Sequence, residues 1–98
     1  MVRQVIWTKR AQKDRFAIFS YWNKRNKSAV YSRKLNELIK DSLKLICKHP
    51  LIGKPTDKEN VRVKVLRDYL IIYEIAVNVI VVLSIWDCRQ NPKDLRRI

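Results

Sequence analysis

Two periodicities divide the chain, and each predicts its own kind of element. Val2–Trp7 is a short β-branched and aromatic run that reads as a strand. Thr8 follows, a residue whose side chain can accept from an early helical N–H. From Lys9 to about Lys24 the apolar residues recur at helical spacing: Ala11, Ile18 and Trp22 share a face, flanked by Phe19 and Tyr21. Asn26-Lys27-Ser28 breaks the pattern, and Ser28 is placed to cap a second helix. There Tyr31, Leu35, Leu38, Ile39, Ser42, Leu45 and Ile46 fall in one stripe roughly 120° wide. Arg33, Lys34, Glu37, Lys40, Asp41 and Lys44 lie opposite. Lys48-His49-Pro50 ends the helix, because proline cannot continue the hydrogen-bond ladder and pushes its predecessor out of the α region.

After a loop, Leu51–Asn60, the period changes from helical to alternating. Val61, Val63 and Val65 take one face of a strand; Arg62, Lys64 and Leu66 take the other. Arg67-Asp68 is a tight connection to a second strand, Tyr69–Ile75, and Ala76-Val77-Asn78 turns into a third, Val79–Trp86. Val79–Ile85 is apolar on both faces and is expected to be central and doubly covered. Asn91-Pro92 opens a short C-terminal tail or helix. The order β-α-α-β-β-β predicts an α+β fold: a small antiparallel sheet with a helical hairpin on one face. The other face is then free, with Arg62, Lys64 and Arg67 to line it.

Composition adds a partner class. The 98 residues are enough for a single domain, 1–98, and a hydrophobic fraction of 47% is enough for a core. Lys and Arg number 22 against 9 Asp and Glu, a net +13, which favours nucleic acid, an anionic membrane or an acidic protein as partner. The longest apolar run is strand-length, and the N-terminus lacks signal-peptide anatomy, so a cytoplasmic protein with no membrane contact is expected. Cys47 and Cys88 lack metal-site spacing and are expected as reduced, packed thiols.

Much chemistry is excluded. One His and two scattered Cys cannot build a structural zinc site, and a single Gly leaves no phosphate-cradling loop, so no metal or cofactor is expected. Lys, Arg, Tyr and Asp remain. That set suits metal-free cleavage of RNA by its own 2′-hydroxyl, in which cations hold the phosphoryl oxygens while a base and an acid move protons. The same residues also suit plainer roles. Alternating charge on a strand is commonly a solvated face, Asp87 can pair with Arg89 or Arg67 to fix a strand end, and Lys54 can be a solvated loop lysine or a phosphate contact. Tyr69 and Tyr73 share a face with Ile71, so at least one is expected in the core.

The ordered set of segments resembles the RelE/ParE superfamily of type II toxin–antitoxin toxins, also called the plasmid stabilisation family. Trp7-Thr8 followed by Ala11 resembles its first strand-to-helix junction, and Ile18, Tyr21, Trp22, Tyr31, Leu35 and Leu45 its helical hairpin. Pro50-Leu51-Ile52-Gly53-Lys54 resembles its P-x-x-G loop, and Val65–Ile75 its signature hairpin. Val81–Ile85 with Arg89 and Pro92 resembles its last strand and exit.

The resemblance implies a toxin restrained by an antitoxin that wraps an acidic, partly disordered segment around it. It also implies one of two targets. RelE-like members cut mRNA on the ribosome; ParE-like members poison DNA gyrase and lack the nuclease set. By position Arg62 and Lys64 resemble the basic pair of the nucleases, which implies a catalytic set of Arg62, Lys64, Arg67, Tyr69, Asp87 and Arg89. Lys54, Arg62, Lys64, Arg67 and Arg89 would hold RNA. Two positions depart from the pattern: Leu70 stands where an Arg is frequent, and Trp86–Gln90 carries no terminal Tyr or His. The expectation is a ribosome-dependent mRNA endoribonuclease that inhibits translation. The alternatives are a gyrase inhibitor and a non-catalytic basic RNA- or ribosome-binding module.

Overall fold

The computed structural model describes residues 3–89; the expected tail or helix at Asn91-Pro92 lies outside them. Strand β1 (Gln4–Trp7) leads into helix α1 (Lys9–Asn26) and helix α2 (Val30–Lys48). After one 3₁₀ turn at Pro50–Ile52 come β2 (Lys54–Pro55), β3 (Val61–Leu66), β4 (Tyr69–Ala76) and β5 (Val79–Asp87). The α+β class is as expected, and β2 is an additional strand within the predicted loop. The sheet runs in the order β1-β5-β4-β3-β2. It is mixed and not wholly antiparallel, because β1 pairs with β5 in parallel register, Gln4 to Val79 through Trp7 to Val82. The whole helical hairpin and three strands intervene before β5, so no tight turn dictates an antiparallel pairing.

Thr8 makes the first junction. Its hydroxyl donates to Val82 O at 2.9 Å and accepts from Ala11 N at 3.1 Å, joining the helix start to the strand beside it. Past the end of β1, Asp14 takes over the edge of β5: one carboxylate oxygen accepts from Ser84 Oγ at 2.8 Å and from Ile85 N at 3.1 Å. α1 ends at Lys27, which adopts the left-handed conformation at φ 52°. The N-cap of α2 is Ala29, not Ser28; the Ser28 hydroxyl instead accepts from Val30 N at 3.2 Å. The left-handed turn expected at Asn78 is present, at φ 64°.

Both helices cover one face of the sheet. Ala11 of α1 and Leu35, Ile39, Leu43, Ile46 and Cys47 of α2 meet Tyr69, Ile71, Tyr73, Ile80, Val82 and Ile85. The buried stripe of α2 is rotated slightly from the expected one, since Leu43 is buried and Leu45 is exposed. β5 is central, but Val79, Val81 and Leu83 are only half-buried, so double coverage is incomplete. Cys47 is buried and Cys88 exposed, and both are free thiols. Among the described residues no helix is long and apolar enough to cross a membrane.

Register corrects the face assignment of β3. Directly opposed residues in an antiparallel pair share a face. Arg62 lies opposite Tyr73, Lys64 opposite Ile71 and Leu66 opposite Tyr69, and all three partners are core residues. The basic residues of β3 are therefore on the helix-covered side, at its margin, while Val61, Val63 and Val65 look the other way beside Glu74, Ile72 and Leu70. The bulky Tyr-Ile-Tyr series of β4 fills the space under the helices and so decides which side of the hairpin faces them.

Candidate functional site

Three of the expected site residues gather at one end of the sheet. Tyr69 at the start of β4 pairs in register with Asp87 at the end of β5. Asp14, Ala17, Ile18 and Tyr21 of α1 form the facing wall of an open cleft of about 510 Å³, with Ile85 and Arg89 completing it. The β3–β4 turn lies alongside: Arg67 takes a left-handed φ of 54°, and Asp68 O accepts from Cys88 N at 2.8 Å.

The polar groups of this cleft are engaged with one another. Arg89 grips Asp87 through both carboxylate oxygens, with Nη2 to Oδ2 at 2.7 Å and Nε to Oδ1 at 3.0 Å, and its backbone N–H donates to Oδ1 at 2.9 Å. The guanidinium carbon sits 5.3 Å from the Tyr21 ring and 5.4 Å from the Trp22 ring, within cation–π range of both. Trp22 Nε1–H donates to Tyr69 Oη at 2.6 Å. Tyr69 is 2% exposed, so its ring offers no face for a base to stack on. Burial raises its hydroxyl pKa, and the Trp22 hydrogen bond opposes part of that rise.

Proton transfer is poorly served by this arrangement. The Arg89 hydrogen bonds hold the Asp87 carboxyl below the ordinary carboxylate range, which makes it a weak base and a poor proton donor near neutrality. The shift also predicts an acid limb in stability. A carboxyl whose folded pKa is depressed contributes stability above its unfolded value, near 3.8, that is lost as pH falls through the lower folded value. Asp87→Asn is therefore expected to melt below the native protein at about pH 6, with the gap closing toward about pH 2, in a series of thermal melts.

Arg62 is not in this cleft. Its Nη1 donates to Gly53 O at 2.7 Å and Leu51 O at 3.1 Å, which pins the loop after α2 to the sheet. Tyr73 completes the anchor: its hydroxyl accepts from Gly53 N at 3.0 Å and donates to Pro50 O at 2.7 Å. Lys64 is half-buried between these two places, and Lys54 is exposed on β2 opposite Val63. The structure thus brings together Tyr69, Asp87 and Arg89 with Arg67 at the adjoining turn, and it does not bring Arg62, Lys64 or Lys54 to them. Among the described residues no three His, Cys, Asp or Glu side chains gather to hold a metal ion.

A second concavity has no counterpart in the sequence-based expectations. Between β1, an edge strand, and the C-terminal half of α2 runs a groove of about 460 Å³ with Val5, Trp7, Leu43 and Cys47 in it. Its remaining lining residues are all cationic: Arg3, Arg15, Lys40, Lys44 and Lys48. Arg15 stacks on Trp7 at 4.3 Å, and its buried Nε has no hydrogen-bond partner. The Lys40-Lys44-Lys48 spacing of four is a visible signal of one cationic ridge, but Arg3 and Arg15 join it only through the fold.

Comparison with known proteins places this geometry in a family. The model of the ParE toxin of the type II toxin–antitoxin system parDE matches residues 5–92. The chromosomal ParDE toxin–antitoxin system of P. aeruginosa contains a chain similar in structure at a TM-score of 0.74 and 19% identity, covering 88% of this chain and 96% of that one. The RelBE2 toxin–antitoxin complex of Mycobacterium tuberculosis contains another, at a TM-score of 0.65 and 18% identity, covering 89% and 99%. A search of curated proteins finds no match. With the family pattern extending across β1 to β5 and the two helices between them, this chain belongs to the ParE toxin family of type II toxin–antitoxin systems.

Proposed function

We propose that the protein is a toxin that acts on DNA gyrase and not by cutting mRNA. One observation carries this reading: the side chains an RNA-cutting site would need are held in structural contacts. Arg62 is bonded to loop carbonyls, Asp87 is closed by Arg89, and Tyr69 is buried against Trp22. Of the expected catalytic set only Lys64 and Arg67 remain without a partner among the described residues, which leaves at most one lysine for proton transfer where the cleavage needs both a base and an acid. Leu70 is consistent with this, standing where nucleases of the superfamily frequently carry an Arg.

The antitoxin is the second partner, as in the ParDE and RelBE complexes to which this fold is similar. The groove between β1 and α2 suits an acidic segment with apolar side chains. Its apolar floor offers burial, its cationic lining offers charge complementarity, and β1 offers a sheet edge that is unpaired among the described residues. Expression followed by mapping of mRNA 5′ ends and trapping of gyrase–DNA cleavage complexes tests the target. Cleavage complexes with unaltered mRNA ends are expected. Lys64→Ala and Arg67→Ala are expected to arrest growth as the native chain does. New codon-phased mRNA ends, absent in those two variants, would return the nuclease reading.

A further inference from the structure

The outward face of α1 is cationic in a different way from the groove. Lys9, Lys13 and Lys24 are exposed there, and none has a partner among the described residues. Phe16 stands between them at 63% exposed. At about 100° per residue, positions 9, 13, 16 and 24 fall within an arc of about 80°. The one acid of the helix, Asp14, is turned inward onto Ser84 and Ile85. α2 provides an internal comparison. Its outward face interleaves Glu37 and Asp41 with its bases, and Lys40 pairs with Glu37 at 3.6 Å. Apart from the groove, a row of cations free of acids is therefore a property of the outward face of α1 and not simply of the net charge.

We infer that this face of α1 lies along the phosphate backbone of duplex DNA, with Lys9, Lys13 and Lys24 on phosphates and Phe16 against the sugar–base edge between them. The inference rests on the gyrase reading for its choice of DNA. The row runs about 22 Å along the helix axis, the length of some six base pairs. Protein–protein interfaces are depleted in lysine and need an apolar centre, and this face has lysines around one aromatic ring. Its composition matches a sequence-independent phosphate contact and not a site for an acidic protein.

The test is fluorescence anisotropy of a labelled duplex across a salt series, using the whole chain with folding checked by circular dichroism. The slope of log K against log salt changes by about 0.9 for each phosphate that is no longer neutralised, so Lys9→Gln/Lys13→Gln/Lys24→Gln should flatten it by about 2.7. Removing the same charge elsewhere, as Arg33→Gln/Lys34→Gln of α2 with Lys54→Gln of β2, should flatten it by less than about 1. Phe16→Ala should weaken binding at an unchanged slope. Equal flattening in both triple variants, an unchanged slope in the α1 variant, tighter binding of an RNA duplex, or equal competition by polyglutamate would each overturn the inference. Gyrase assays are read separately. Gyrase inhibition with an unchanged DNA slope sinks only this proposal, and the expected slope change without gyrase inhibition sinks only the gyrase reading.

Discussion

Gly53→Ala is expected to destabilise the protein by about 3 kcal/mol, the combined scale of overpacking a tight site and breaking a buried hydrogen bond. Gly53 has an extended backbone at φ −73°, so any residue tolerates its dihedrals. The constraint is space. A Cβ there would lie 2.6 Å from Tyr73 Oη, 2.9 Å from Tyr73 Cε1 and 2.9 Å from Val63 O. The hydroxyl cannot retreat without leaving both Gly53 N and Pro50 O, and the Val63 carbonyl belongs to a paired strand. Destabilisation of this size in a domain of about 100 residues lowers Tm by more than about 10 °C. Denaturant titration should show a lower midpoint at an unchanged slope. Tyr73→Phe removes the nearest clash, so the double variant should be less destabilised than the sum of the two single ones.

That anchor shows where sequence reading reaches its limit. Helical and alternating periods located both helices and the three long strands, because each period follows from which side chains must leave water. Thr8, Asn78 and the Arg67-Asp68 turn carried their own local chemistry. β2 was hidden because Lys54-Pro55 has no apolar alternation and forms only by pairing with Val63 and Arg62. The direction of β1 was not legible because a parallel partner 75 residues away leaves no local trace. The face of β3 misled for a related reason: alternation marks two sides but not which is inner. The valines read as core, yet Tyr69, Ile71 and Tyr73 on the next strand occupy the inner side. At the site, the Asp87–Arg89 pair was legible as neighbours two apart, whereas the reach of Arg62 to Leu51 and Gly53 needed the folded loop.

Reversing three charges around the groove is the other large expected effect. Arg3→Glu/Lys44→Glu/Lys48→Glu should weaken antitoxin binding roughly a hundredfold or more, taking about 1 kcal/mol for each half-exposed pair that turns from attraction to repulsion. The weakening should appear mainly in the association rate and shrink in high salt, as expected for charges that steer an encounter. Thermal stability should fall only modestly, because none of the three is a core residue and the hydrogen bond lost is the long one from Arg3 Nε to Ala76 O at 3.3 Å. Surface-bound toxin titrated with antitoxin in a salt series measures both quantities. Unchanged affinity at low salt would place the antitoxin elsewhere on the toxin.

The proposed function is action on gyrase through binding and not on RNA through catalysis. Its most direct measurement uses purified components: gyrase, relaxed plasmid and ATP in one reaction, programmed ribosomes with mRNA in the other, each with the toxin added. The account predicts abolished supercoiling and plasmid linearised on detergent and protease treatment, with mRNA left intact. Normal supercoiling together with mRNA cut in the ribosomal A site would contradict it.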